Sequence, residues 1–130
     1  MKVKIISPVV NIPSFLDIQI SKFKENLLSD FELICIDDSK QKGLDQQFRN
    51  VCSEHDDVAT WFKNTRPPVS GPSMGHANAI QFALDNIVYT SCLNDIVFLV
   101  DSDIFLMEKI DLIEFMKDCL LYTSPSPRDS

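Results

Sequence analysis

Apolar residues along this chain fall into two alternating spacings. Short runs rich in β-branched residues occur at "KVKIIS" (Lys2–Ser7), "FELICID" (Phe31–Asp37), "DVATWF" (Asp57–Phe62) and "DIVFLV" (Asp95–Val100). Each predicts a β-strand. Between them the apolar positions open to a helical period. Leu16, Ile20, Phe23 and Leu27 share one helix face, as do Leu44, Phe48, Val51 and Cys52, and then Ile80, Ala83, Leu84 and Ile87. Ser14 and Asp17 have the spacing of a capping box, and Gly43 interrupts the loop before the second helix. A further short helix is expected near Leu112 to Lys117. The fourth strand run is the most apolar, which predicts a central strand buried on both faces of a parallel sheet.

The order β-α-β-α-β-α-β predicts an α/β fold with a doubly wound, mostly parallel sheet of Rossmann-like kind. Such sheets bind ligands outside the carboxyl ends of their strands. That rule gathers Ser7-Pro8, Asp37-Asp38 and Asp101-Ser102-Asp103 on one edge. It adds the start of the third helix, Gly75 to Asn78, and the stretch "KNTRPPVSGPSM" (Lys63–Met74). Three prolines and a glycine make that stretch a long irregular loop, the kind that often carries function.

Composition narrows the class. The 130 residues suit one domain, and a hydrophobic content of 45% supports a packed core. Net charge is −7, with 19 acidic against 12 basic residues. This argues against a nucleic-acid partner and suits a site that gathers cations. No run approaches the roughly 20 apolar residues of a membrane span. Ser7, Pro8, Asn11 and Pro13 break up the amino-terminal apolar residues before a signal-peptide core can form. A cytoplasmic location is the expectation. The four cysteines, Cys35, Cys52, Cys92 and Cys119, have no CxxC spacing and read as free thiols, mostly buried.

Composition changes abruptly at "CLLYTSPSPRDS" (Cys119–Ser130). Rich in Ser, Pro and Thr, it predicts a disordered tail. The string also resembles the conceptual translation of a sequencing adapter read in frame after a truncated gene. On that reading the native domain covers residues 1–118, and the chain is an amino-terminal half.

The candidate chemistry centres on Asp101 and Asp103. On an extended backbone residues i and i+2 project to the same side, so these carboxylates would face one space at a strand end. Their repulsion falls if a divalent cation lies between them, and Mg²⁺ or Mn²⁺ is typically held by one or two carboxylates plus ligand phosphates. The bland alternative is a polar turn, against which stands the apolar run Phe105-Leu106-Met107 that follows at once. Asp37-Asp38 could accept hydrogen bonds from a ribose or base. As a lone pair it reads more simply as a strand end before a solvated loop. Gly75-His76-Ala77-Asn78, opening a helix, could receive a phosphate on its free amides, with His76 donating to phosphate and Asn78 to a sugar hydroxyl. A lone histidine is more often structural.

Taken in order, "IISPVVN", "ICIDDSK", "GHANAIQFAL" and "VFLVDSDIFL" resemble the ordered motifs of GT-A fold glycosyltransferases, close to the large family-2-like group. The resemblance covers residues 1–118 and implies a nucleotide-diphosphate sugar donor site. In it Asp37 or Asp38 would contact the base or ribose, with Pro8 and Asn11 lining the nucleotide pocket. Asp101 and Asp103 would hold Mn²⁺ or Mg²⁺ on the diphosphate, and His76 and Asn78 would lie near the diphosphate and donor sugar. The chain departs from the family in having Ser39 where glycine usually follows the acidic pair, and in lacking the usual arginine of the third-helix motif. In inverting members the general base and acceptor site come from the second half, so no catalytic residue is assigned, and this chain alone is expected to bind donor without transferring sugar. The acceptor, whether glycan, lipid or protein, stays open.

Rival enzyme classes fit less well. An aspartyl phosphotransferase wants its D-x-D on the first strand with a following threonine, whereas Ile104 follows here. A receiver domain wants acidic pairs after strand one, where "SPVVN" stands. A nucleotidyltransferase needs a Gly-rich basic loop there. The remaining alternative is a non-catalytic nucleotide-binding or partner-recognition α/β module.

Overall fold

A computed structural model describes residues 2–67, 72–86 and 96–123. Its elements are β1 (Val3–Val9), α1 (Pro13–Asn26), β2 (Phe31–Asp37), α2 (Leu44–Glu54), β3 (Ala59–Lys63), α3 (Pro72–Asn86), β4 (Ile96–Leu99) and α4 (Leu112–Thr123). The four strands form one sheet in the order β3-β2-β1-β4, and every pairing is parallel. This is the expected α/β, doubly wound arrangement.

Alternation along the strands decides which helix covers which face. Val3, Ile5 and Val9 of β1 and Leu33 and Cys35 of β2 share a core with Leu16, Ile20 and Phe23 of α1 and Phe48 and Cys52 of α2. Ile6, Ile34 and Ile36 turn the other way and pack with Ala79, Phe82 and Ala83 of α3. The inner strands therefore carry nearly continuous apolar runs, as a two-sided parallel sheet requires.

β4 departs from expectation. Among the described residues it lies at the sheet edge, paired with β1 alone, and Val97, Phe98 and Leu99 are all exposed. The apolar run marks a strand but carries no information on its neighbours, which depend on a pairing about ninety residues distant in sequence.

The helix starts also differ from their sequence signals. α1 begins at Pro13, a residue suited to the first helical position because its missing N–H is an orphan there anyway. Ile12 is the N-cap and makes no side-chain capping bond, so Ser14 and Asp17 do not form a capping box. Asp17 instead meets His55 Nε2 at 2.7 Å, tying α1 to the end of α2. α2 starts after Gly43, whose φ of 90° lies in the left-handed region that only glycine enters without strain. α3 starts at Pro72, earlier than the expected Gly75. α4 runs beyond Lys117 to Thr123, through Cys119-Leu120-Leu121, where leucine favours the helix. Residues 124–130, the rest of the proposed tail, lie outside the described residues.

Cys35 and Cys52 are free, buried and adjacent. Burial pushes the Cys35 thiol well up, helped by the neighbouring Cys52 thiol and the Asp37 carboxylate. Because its folded value is raised, its contribution to stability is complete below the ordinary thiol value of 9.0 and is lost as pH rises toward the folded value. Urea midpoints should therefore fall above that pH more steeply in the natural chain than in Cys35→Ala, by up to about 1.4 kcal/mol per pH unit. Parallel slopes would show that Cys35 does not resist ionisation. Cys92 and the side chain of Cys119 lie outside the described residues.

Candidate functional site

Parallel pairing sets the carboxyl ends of all four strands on one edge. Val9 stands level with Asp37 and Asp37 with Lys63, while Leu99 stands level with Ile6. Strand order reverses between β1 and β4, since β2 and β3 were laid down on one side of β1 and β4 on the other. A doubly wound sheet has its ligand crevice at such a reversal. The turn after β1, with Asn11 exposed, and the turn after β4, with Asp101 and Asp103 exposed, flank it. Pro8 is buried at the end of β1 and offers no surface of its own.

The two members of the second-strand pair have separate fates. Asp37 is fully buried. Its Oδ1 accepts from the Ser39 backbone N–H at 2.8 Å, and its Oδ2 accepts from Trp61 Nε1 at 3.0 Å. Lys63 Nζ stands 3.7 Å from Oδ1 and donates at 2.6 Å to the Ser39 carbonyl. Arg49 covers the Trp61 ring at 5.2 Å, closing the outer side. These contacts employ Asp37 in holding the β2 and β3 ends together. Asp38 is half-buried and accepts from Asn64 Nδ2 at 3.1 Å, while its N–H continues the ladder to the Val9 carbonyl at 2.8 Å. Of the two, Asp38 is the carboxylate nearer solvent.

Ser39, the residue in place of the usual glycine, is explained by backbone conformation. Among the described residues only Gly43 has a positive φ, so the Asp37–Ser39 turn needs no glycine.

Asn78 is already engaged. Its Oδ1 accepts from Arg66 Nε at 2.6 Å, and its Nδ2 donates to the Pro67 carbonyl at 3.2 Å. Arg66 also pairs with Asp85 at 3.1 Å, which pins the chain leaving β3 against α3. Since α3 begins at Pro72, Gly75 to Asn78 stand inside the helix, where backbone amides are already bonded, and not at its first turn. His76 lies on α3, and its side chain is outside the described residues, as are residues 68–71 of the Pro/Gly loop.

Asp101-Ser102-Asp103 forms a turn and not the extended end of a strand. β4 ends at Leu99, and the Ile104 N–H donates to the Asp101 carbonyl at 3.2 Å, the i to i+3 closure of a β-turn. Both carboxylates are exposed at this turn, so the expected cleft floor is replaced by an open rim. Phe105 then packs edge-on to Phe15 of α1, with ring centroids 5.8 Å apart, and returns the chain to the core.

Sequence reading missed Gln19, which is wholly buried on α1 and reaches this turn. The signal was present: Gln19 falls on the helix face of Leu16, Ile20 and Phe23, a polar residue at a core position. Trp61, Lys63 and Asn64 were missed as well, because nothing in a β3 sequence announces which carboxylate it will meet.

Among the described residues no cluster of three or more histidine, cysteine or carboxylate side chains could cage a metal. None of their helices is long and apolar enough to cross a membrane. A groove of about 630 Å³ bordered by Lys2, Lys24, Phe31 and Asp57 lies at the opposite, amino-terminal edge of the sheet. Its lysines are already paired, Lys24 with Asp57 at 3.0 Å and Lys2 with Glu32 at 3.8 Å, so it is no rival to the strand-end site. Compared with protein-family models and with curated proteins, the chain matches none.

Proposed function

We propose that this chain is the donor-binding region of a metal-dependent glycosyltransferase, taking a nucleotide-diphosphate sugar at the carboxyl edge of its sheet. The observation that carries the reading is the strand-order reversal between β1 and β4, which has the turn holding Asn11 on one side and the Asp101–Asp103 turn on the other, with Asp38 at the end of the next strand. A nucleotide lying along that edge would have Asp38 for its ribose hydroxyls or base N–H groups and the acidic turn for its diphosphate.

On this reading a Mg²⁺ or Mn²⁺ ion would draw on two protein carboxylates alone, since among the described residues they belong to no larger cluster of metal-ligating side chains. Asp101 and Asp103 provide two hard oxygen ligands, and such ions commonly complete their shell with phosphate oxygens and water. When bound, the ion supplies charge neutralisation on a diphosphate leaving group. Asp37 is not assigned to the nucleotide, because its oxygens are taken by Ser39 and Trp61. Asn78 would need to give up Arg66 to reach a sugar. A general base is not assigned, and the acceptor, glycan, lipid or protein, is left open.

Calorimetric titration of UDP and GDP, with and without Mn²⁺, tests the reading. One of the two nucleotides should bind in a Mn²⁺-dependent manner. Asp101→Asn with Asp103→Asn should weaken that binding by at least about tenfold, since both anionic ligands of the cation are gone. A folded chain with no Mn²⁺-dependent binding to either nucleotide would favour a non-catalytic α/β recognition module instead.

A further inference from the structure

Gln19 joins three segments of the chain through three side-chain hydrogen bonds. It lies on α1, fully buried, and its Oε1 accepts from Ser7 Oγ of β1 at 2.7 Å. Its Nε2 donates to the Asp101 carbonyl at 2.8 Å and to the Ile104 carbonyl at 2.8 Å. Those carbonyls belong to the first and last residues of the acidic turn. One primary amide has two N–H donors, and here both are spent on that turn.

Its neighbour on the helix face repeats the device. Asn26 is buried about two helical turns later, and its Nδ2 donates to the Leu106 carbonyl at 2.6 Å. The Asn26 carbonyl then accepts from the Ile110 N–H at 2.9 Å. Segment 101–110 therefore lies along α1 on a row of polar contacts set within an otherwise apolar helix face.

A glutamine in that place is costly unless every polar atom finds a partner, so hydrophobic packing alone does not account for it. Leucine or methionine would fill the same volume. What glutamine adds is a fixed separation between the Asp101 and Ile104 carbonyls. We infer that Gln19 is the positioning residue of the acidic turn: by clamping both ends of the turn to α1 and β1, it presets the backbone that carries Asp101 and Asp103. The clamp is a matter of the fold, whereas its consequence for a bound cation rests on the donor-site reading above. Preorganisation has a definite meaning here. Two carboxylates on a loose turn must be ordered by the cation they bind, and that ordering weakens affinity.

The test compares the full chain with Gln19→Met, which keeps the volume and removes the donors. Gln19→Leu serves as a second replacement of different shape, and thermal melting verifies that each variant folds. Two readouts are taken together: hydrogen exchange of residues 101–106 by mass spectrometry, and Mn²⁺ binding by electron paramagnetic resonance with UDP or GDP present. The expected result is exchange in 101–106 faster by about tenfold or more in a folded Gln19→Met, since the carbonyls at the two ends of the turn have lost the Gln19 donors that hold the turn to α1. Exchange in β1 and β2 should stay unchanged, and Mn²⁺ affinity should fall by about tenfold with both aspartates intact. Unchanged exchange in folded Gln19→Met and Gln19→Leu would overturn the clamp, as would unchanged Mn²⁺ affinity overturn its role in cation binding. If the natural chain itself binds no Mn²⁺ with either nucleotide, the donor-site reading falls, and hydrogen exchange alone decides the clamp.

Discussion

Asp37→Ala should lower the unfolding free energy by about 3 kcal/mol, the larger part of it from groups the substitution leaves behind. Trp61 Nε1 and the Ser39 N–H both lose their acceptor, in a place where Asp37 itself has no exposure to water. Lys63, 38% exposed, can turn to solvent, so its charge adds little to the loss. Asp38→Ala removes a single acceptor from Asn64 at a half-buried position and should cost less than about 1 kcal/mol. Urea unfolding of both variants measures the contrast. Equal, small losses would mean that Asp37 is available to a ligand after all, and nucleotide titration of a folded Asp37→Ala would then be the informative assay.

Phe48→Ala should cost about 3–5 kcal/mol. Phe48 is the largest wholly buried side chain on α2, whose other buried residues are Leu44 and Cys52. A helix held by so few apolar side chains cannot refill the space a lost aromatic ring leaves, so a cavity term adds to the transfer term. Against a total stability of roughly 5–15 kcal/mol, the melting temperature should fall by about 10 °C or more. Phe48→Leu should cost substantially less. A loss below about 1 kcal/mol in Phe48→Ala would mean that α2 slides to repack and contributes less to the sheet than its burial implies.

Much of this fold was legible because the physics that specifies it is local. β-branched runs and helical spacing located the strands and helices of the described residues, and their alternation carried the parallel sheet. Where reading failed, the deciding interaction was remote. Strand order is settled by which segment pairs with β1, so "DIVFLV" could not disclose that β4 sits at an edge. Asp101 and Asp103 sit in a turn because Gln19 and the Ile104 N–H converge on one carbonyl, and Gln19 lies more than eighty residues earlier. Asp37 and Asp38 are neighbours of identical chemistry, yet one is buried under Trp61 and the other faces Asn64. Side-chain alternation on β2 made that division, but only the position of β3 gave it a consequence. The early start of α3 was readable in principle, since Pro72 suits a first helical turn and the sequence offered it within a loop already rich in proline.

The strand order also bears on how the chain reaches this state. β1 meets β2 across a short crossover, Val3 against Phe31, and β2 meets β3 at a similar remove. Its other neighbour arrives much later, Val3 against Ile96. Closing that larger loop costs more entropy before any contact rewards it, and chains rich in distant pairings fold slowly. The three-stranded unit from β1 to β3 can therefore assemble first, with its helices α1 and α2 in place. During that interval the far side of β1 presents unpaired backbone groups to solvent, a template for any passing strand. The same inner position that sets β1 beside the strand-order reversal leaves it an open edge while the fold is incomplete.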